Sequence, residues 1–343
     1  MVIKVSKVIV MANIKDVAKL AGVSISTVSR VINNTAIVVQ HKRDAVLKAM
    51  NELQYKPNSF AKALVSNKSN TIGLVVGDLA DPFFGLLMKG VEKVSNQYNK
   101  QLLISSGHHN EEQERQAINS LIDRRCDALI IHSKALTDYQ LMELLRNQPA
   151  SVLINRTIPG LEHQSIYLDN RLAGKEAVSH LLNNGHQRIA MVTRDVEIED
   201  ELERRQGYQE ALLHHGIIPD PSLIAAAGAN EEGGYQATET LLQRKTDFTA
   251  IFAYNDAMAA GCLSALREHK IQVPNDVSVI GFDDVLLARF LHPQLTTIRY
   301  PIEAMGTAAA QLALHLSGEN TEMPAEQLFT TQLVQRESVR KIY

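Results

Sequence analysis

Two hydrophobic periods share this chain, and one gives way to the other near residue 70. Before that point apolar residues recur at intervals of three and four: Ile14, Val17, Ala18 and Ala21, then Val28, Val31 and Ile32, then Ala45, Val46, Ala49, Met50 and Leu53. That spacing lines one face of a helix and predicts three short helices. From Thr71 onward, aliphatic and β-branched runs alternate with helix-period segments. TIGLVVGD, FGLLMKGVEKVSNQY, KQLLISSG, EEQERQAINSLIDRR and CDALIIHS form one series; HQRIAMVTR, RRQGYQEALLHHG, FTAIFAYND, AMAAGCLSALREH and VSVIGFDD form a second. Continuous apolar strands joined by amphipathic helices predict parallel sheets covered on both faces, hence two similar α/β lobes.

The punctuation of the first segment is more specific. Asn13 is placed to cap IKDVAKLA, Gly22 to end it at a positive φ, Val23 to pack into the angle, and Ser24 to cap ISTVSRVINN. Two short helices joined by a glycine turn read as a helix-turn-helix, whose second helix presents its first residues to the major groove. With Val28, Val31 and Ile32 turned inward, Ile25, Ser26, Thr27 and Arg30 face outward. Arg30 can donate to a guanine edge or a phosphate, and Ile25 can meet a thymine methyl. A third helix is expected from about His41 to Leu53. Pro57 stops it, and Asn58 can cap a further helix, Ser59–Val65, too short to stand alone and therefore ordered only when something docks on it.

Charge sharpens the division. The net charge of −3 conceals eleven Lys/Arg against three Asp/Glu in residues 1–70, a formal +8, which leaves −11 on the remainder. A basic head suits a phosphate backbone, although charge alone would equally describe a solvated surface. No apolar run approaches the ~18 residues of a membrane span. The opening MVIKVSKVIV lacks the core of an export signal. It is read as a flexible extension or a misplaced start before Met11, and the chain is expected in the cytoplasm, away from membranes. Cys126 and Cys262 have no CxxC or Cys/His spacing and are expected as buried thiols, with no metal site. GxxxxGK[ST], GxSxG, HExxH and GxGxxG do not occur, so enzymatic phosphoryl transfer, serine hydrolysis and zinc proteolysis lack support, and no cofactor is expected. His108-His109 and His214-His215 read as loop or helix-surface residues. Asp283-Asp284 is discounted as a catalytic pair because adjacent strand-end side chains point apart.

Ligands of open α/β sheets bind beyond the carboxyl ends of the strands. Those positions carry Asp78, Asn155, Arg156, Asn255, Asp256, Asp283 and Asp284, with Phe83 and Phe84 in DPFFG. Carboxylates, amides and a guanidinium can satisfy the hydroxyls of a sugar, and an aromatic face can cover its C–H groups. The alternative is that such Asp and Asn residues only cap the next helix; capping or lobe architecture is the reading taken for Asp256 and Asp284.

IKDVAKLAGVSISTVSRVIN followed by LQYKPNSFAKAL resembles the head of the LacI/GalR family of bacterial repressors. The resemblance runs on through TIGLVVGDLADPFFG, LLNNGHQRIA, FTAIFAYNDAMAAG and SVIGFDDVLLARFLHPQLTTIRYP, nearest to the galactose-responsive members. It implies an extension over 1–11, an all-α helix-turn-helix head over 12–57 and a hinge helix with linker over 58–70. A two-lobed, periplasmic-binding-protein-like, doubly wound core follows over 71–343. The first lobe would take about 71–169 and 301–328, the second about 170–300 and 329–343. It further implies contacts to double-stranded operator DNA by Ser24, Ile25, Ser26, Thr27, Arg30, Asn33, Tyr55, Asn58, Ala61 and Leu64, with Leu64 wedged into the minor groove.

In the cleft, the family's R-x-x-G arginine fits Arg204 before Gly207, although Arg205 leaves the register open by one. The other ligand positions fit Asp78, Asn155, Asn255, Asp283 and either Phe83 or Phe84. The implied activity is repression of sugar-utilisation genes, relieved by a sugar inducer such as D-galactose, in a homodimer; the chain ends without the leucine heptads of tetrameric relatives. Two departures from the family stand out. Val38-Val39-Gln40 lacks the serine that usually caps the third helix, and Ile25-Ser26 replaces a smaller pair, which leaves the operator sequence open. A family member answering to another small molecule, an activator, or a non-regulatory sugar-binding protein are the alternatives; the last would need an export signal and no basic head.

Overall fold

Local capping builds the head as the spacing predicts. In the computed structural model, which describes residues 12–33, 36–55, 69–319 and 322–342, the chain divides after Asn70 into two units. Helix α1 (Ile14–Ala21) is opened by Asn13, whose side chain accepts from the Lys15 and Asp16 amides, while Asp16 reaches back to the Asn13 amide at 2.8 Å. Gly22 closes it at φ 66°, and the Val23 N–H donates to the Ala18 carbonyl. Ser24 Oγ accepts the Thr27 amide at 3.2 Å and so caps α2 (Ile25–Asn33). Helix α3 (Gln40–Glu52) starts at Val39 without a side-chain cap, a loss worth about 1 kcal/mol. Val17, Val28 and Val46 are fully buried where the three helices meet. The expected extension over 1–11 and the hinge helix Ser59–Val65, with Asn58, Ala61 and Leu64, lie outside the described residues.

The second unit opens with β1 (Thr71–Val76), α4 (Pro82–Gln97), β2 (Gln101–Ser106), α5 (Glu111–Asp123), β3 (Ala128–Ile131), α6 (Asp138–Leu145), β4 (Ser151–Ile154) and β5 (Ser165–Leu168). A second series follows: α7 (Asn170–Asn183), β6 (Ile189–Arg194), α8 (Glu199–His214), β7 (Ile224–Ala227), α9 (Glu231–Gln243), β8 (Ala250–Ala253), α10 (Asp256–Glu268), β9 (Ser278–Asp283), α11 (Leu287–Phe290) and β10 (Thr296–Arg299). The chain ends with α12 (Ile302–Leu316), β11 (Leu328–Phe329) and β12 (Gln332–Val334). The sheet orders are β11-β5-β4-β3-β1-β2 and β12-β10-β9-β8-β6-β7. Each lobe therefore repeats one doubly wound order, and the tail lends a strand to each: β11 parallel to β5, β12 antiparallel to β10. Helix α12 packs on α4 of the first lobe.

Burial explains the strand composition. Every residue of β1, β3, β4, β8 and β9 is buried, as central parallel strands covered on both faces require. Helix α8 begins at Glu199, five residues ahead of the expected RRQGYQ segment; its acidic first turn, Glu199-Asp200-Glu201, suits the positive end of the helix dipole. Gly207 sets how closely α8 meets α7, since a Cβ there would stand 2.2 Å from the Arg171 carbonyl oxygen. Cys262 is buried, but Cys126 is only half-buried, contrary to expectation, because it lies in the turn joining α5 to β3. Among the described residues no helix is long and apolar enough to cross a membrane.

Candidate functional site

On the head, the inward turn of Val28 and Val31 leaves the start of α2 on the surface. Ile25 is 45% exposed, Ser26 and Arg30 are exposed, and Thr27 is half-buried. Ser24 Oγ lies 2.8 Å from Ser26 Oγ and 2.9 Å from Thr27 Oγ1, so its hydroxyl serves the cap first. Asn33 donates to Ser29 Oγ at 3.2 Å. Tyr55 packs against the head core as well as reaching the surface. The exposed start of a second helix, with an isoleucine, a hydroxyl and an arginine, is the arrangement that reads base edges.

In the body, a cleft of about 390 Å³ opens beyond the strand ends, within the usual size of a small-molecule site. The first lobe contributes Asp78, Asp81, Phe83, Phe84, His109 and His132; the second contributes Arg194, Ile198, Asp200, Arg204, Tyr254, Asn255 and Asp283.

The second-lobe wall is a tied network of charge. Arg204, 3% exposed, donates from Nε to Asn170 Oδ1 at 3.1 Å and from Nη1 to the Tyr254 carbonyl at 2.7 Å. Its guanidinium lies 3.7 Å from the Phe282 ring centre and 4.6 Å from that of Tyr254. Arg205 instead turns to Glu197 and the buried Glu201, so of the two neighbours the arginine that reaches the cleft is Arg204. One turn earlier on α8, Asp200 accepts from Tyr254 Oη at 3.1 Å and lies 3.6 Å from Lys134 Nζ. Burial alone would raise its pKa, but Lys134 and Arg204 outweigh burial and hold the carboxyl well below the usual range.

Asp283 sits at φ 109°, a strained backbone for a side-chain-bearing residue, and burial pushes its carboxyl well up despite Arg204. Asn255 does two things: it caps α10 by accepting the Met258 amide at 2.8 Å, and it lines the cleft while donating to the Ala229 carbonyl at 3.1 Å. Asp256 and Asp284 are architectural. Asp256 accepts from Thr297 Oγ1 at 2.6 Å and the Val285 amide at 2.9 Å, with burial pushing its pKa up to about 7. Asp284 is paired with Arg299 and Arg336, fastening β10 and the tail.

The first-lobe wall is aromatic. Phe83 and Phe84 both face the cleft, edge to face at 5.3 Å; Phe83 also meets Tyr300 at 5.1 Å, and Phe84 meets His132 at 4.9 Å. Asp78 is exposed at the cleft and accepts the Ala80 amide. The structure gives two residues a more specific place. Asn155 is not among the cleft-lining residues: its amide spans the lobes, donating to Asp200 at 3.4 Å and accepting from Asn170 at 3.3 Å. His109 lies on the loop after β2, as expected, but half-buried: with positive φ at His108 and His109, its ring lines the cleft. His214 and His215 do lie exposed at the end of α8. Arg156, another strand-end candidate, clamps the first lobe by donating to the Leu136 carbonyl and Asp138.

The sequence reading missed His132, Arg194, Asp200 and Tyr254. His132 and Tyr254 directly follow apolar runs, so the strand-end rule could have found them. Asp200 follows no strand and becomes visible only once α8 is seen to begin at Glu199.

A basic helix-turn-helix joined to two doubly wound lobes with a polar cleft defines the class: a DNA-binding regulator with a small-molecule-binding body. Residues 13–58 match the bacterial regulatory proteins of the lacI family, and residues 178–339 match the periplasmic binding protein-like domain. The chain is 47% identical over 329 residues to the HTH-type transcriptional regulator GalR of Escherichia coli K12, covering 96% of each. It is also 47% identical to GalS of Salmonella typhimurium LT2, covering 96% of this chain and 97% of GalS. Among solved structures, the lac repressor dimer bound to operator and the anti-inducer ONPF aligns with a TM-score of 0.82 at 27% identity, over 96% of this chain and 99% of that one. The chain belongs to the LacI family of bacterial regulatory proteins, and it is a DNA-binding transcriptional regulator rather than an enzyme.

Proposed function

We propose that this regulator represses genes of galactose utilisation as a cytoplasmic homodimer and leaves its operator when D-galactose occupies the cleft between the lobes. The observation that carries the reading is the composition of the cleft, where carboxylates, a buried guanidinium and an amide stand opposite two phenyl rings. A monosaccharide presents both a ring of hydroxyls and a patch of C–H groups, and such a cleft answers both. Likeness to GalR and GalS supports galactose as the sugar. Ser24, Ile25, Ser26, Thr27, Arg30, Asn33 and Tyr55, with Asn58, Ala61 and Leu64 of the hinge segment, are the proposed operator contacts. Asp78, Phe83, Phe84, Arg204, Asn255 and Asp283 are the proposed sugar contacts.

Linkage sets the mechanism. Sugar relieves repression only by binding the DNA-free form more tightly, and the factor by which it weakens operator binding equals the factor by which operator weakens sugar binding. A coupling of ~1–3 kcal/mol corresponds to roughly 5–150-fold. The test is operator binding at fixed ionic strength with and without saturating D-galactose, beside calorimetric titration of the sugar. Affinity is expected to fall by roughly 5–150-fold; unchanged operator affinity in protein that demonstrably binds galactose would rule the reading out.

A further inference from the structure

Two imidazoles on the first-lobe wall are held firmly yet, among the described residues, contribute nothing to the fold's own hydrogen bonding. His132, 3% exposed, directly follows β3, and its backbone N–H donates to the Val75 carbonyl at 3.0 Å. His109 follows β2 on a turn fixed by the His108 N–H to the Gly77 carbonyl at 2.8 Å. A Cβ on Gly77 would stand 2.4 Å from His109 Nε2, so the ring rests on bare backbone. The two rings are 5.7 Å apart and share Phe84, which lies 4.9 Å from His132 and 6.2 Å from His109. Ring contacts and backbone thus fix both orientations. Among the described residues, neither side chain makes a hydrogen bond, and Nδ1 of each is buried without a partner. Burial first, then the positive charges of Arg194 and Lys134, lower the pKa of both rings against the opposing pull of Asp200 and, for His109, of Glu114.

A neutral imidazole carries one donor and one acceptor, and leaving them unmet in a buried place is costly. Two such rings facing a cleft otherwise lined by charge are suited to uncharged hydroxyls, each of which can both donate and accept. We infer that His132 and His109 are hydroxyl-reading residues of the cleft, each exchanging a hydrogen bond through Nε2, the ring nitrogen that is not buried, with a hydroxyl of a bound monosaccharide while Phe84 covers neighbouring C–H groups. This rests on the sugar reading above and adds to it the residues that distinguish one hydroxyl pattern from another.

The test is titration calorimetry of the full chain with D-galactose and its 2-, 3-, 4- and 6-deoxy derivatives. With the unsubstituted protein, at least one derivative should bind about tenfold more weakly than galactose. In His132→Phe, which keeps the ring packed on Phe84, that derivative and galactose should bind within about twofold of each other, while the remaining derivatives keep their rank. His132→Asn, retaining a donor and an acceptor, should restore part of the discrimination. Equal weakening of every sugar by His132→Phe overturns the inference and leaves the galactose reading standing. Failure of the unsubstituted protein to bind any of these sugars overturns both. Should His132→Phe fail to fold by near-ultraviolet circular dichroism, His109→Phe decides the matter by the same comparison for its own hydroxyl.

Discussion

The two walls of the cleft are built on opposite principles, although their lobes repeat one strand order. On the second lobe several polar groups are engaged before any ligand arrives, Arg204 with Asn170 and Tyr254, Asp200 with Tyr254, Asn255 with Met258 and Ala229, while Arg194 Nε and Asp200 Oδ1 are buried without a hydrogen-bond partner among the described residues. On the first lobe the rings of Phe83, Phe84, His109 and His132 lean on one another, and the two imidazoles have no hydrogen bond among the described residues. A network of buried charge stays in place only if its members satisfy each other. Neutral rings can be positioned by packing alone, which leaves their polar atoms for a ligand. The second wall therefore supplies a fixed electrostatic frame, and the first supplies hydrogen-bonding capacity.

The largest consequence concerns Arg204. Arg204→Leu removes a buried cation that holds Asn170 and the Tyr254 carbonyl and keeps the Asp200 carboxyl ionised, and should cost about 3–5 kcal/mol of stability, the scale for losing one member of a buried charge network. Urea unfolding would measure this, and a change below ~1 kcal/mol would show the second wall is no frame.

The walls should next differ in their response to pH. His109 and His132 bind protons less readily folded than at the ordinary 6.5, so their contribution to stability is lost as pH falls below that value. Asp256, behind the second wall, has a folded pKa of about 7 against 3.8, so its contribution is full below the unfolded value and is lost as pH rises through about 7. Each proton changes the slope by at most about 1.4 kcal/mol per pH unit. Urea midpoints across this range should show His132→Phe reducing the acid loss and Asp256→Asn reducing the loss towards neutral pH. Identical profiles in all three proteins would contradict the assignment.

The smallest effect belongs to Asn255. Asn255→Ala should cost about 1 kcal/mol through the lost cap of α10, whereas Asn255→Ser should keep most of that stability. If Asn255 also touches the sugar, both variants weaken galactose binding in calorimetry; normal affinity in Asn255→Ser would reduce its role to capping.

Legibility followed the range of the interaction. Asn13, Gly22 and Ser24 were readable because a cap is decided within three or four residues. The strands were readable because a parallel strand buried on both faces is apolar throughout. Arg204 came from the family resemblance, through the R-x-x-G pattern, and stayed open by one against Arg205; the glycine of that pattern, Gly207, stands where α8 approaches α7 closely. Asp200 was hidden because its place depends on where α8 begins and on Tyr254, 54 residues further on. Asn155 shows the limit of the strand-end rule, because such an amide can serve the ligand or the opposite lobe and the rule carries no sign of its hydrogen bonds to Asp200 and Asn170.

By itself, then, the sequence determined a capped, basic three-helix head, a two-lobed parallel α/β body and the strand ends beyond which a ligand could sit, because helix caps, hydrophobic period and charge are local properties. Tertiary structure alone decided that Arg204 rather than Arg205 turns inward, that Asn155 joins the lobes, and that His109 and His132 share one aromatic wall. Those outcomes depend on which groups from distant parts of the chain are close enough to pair, or are left without a partner.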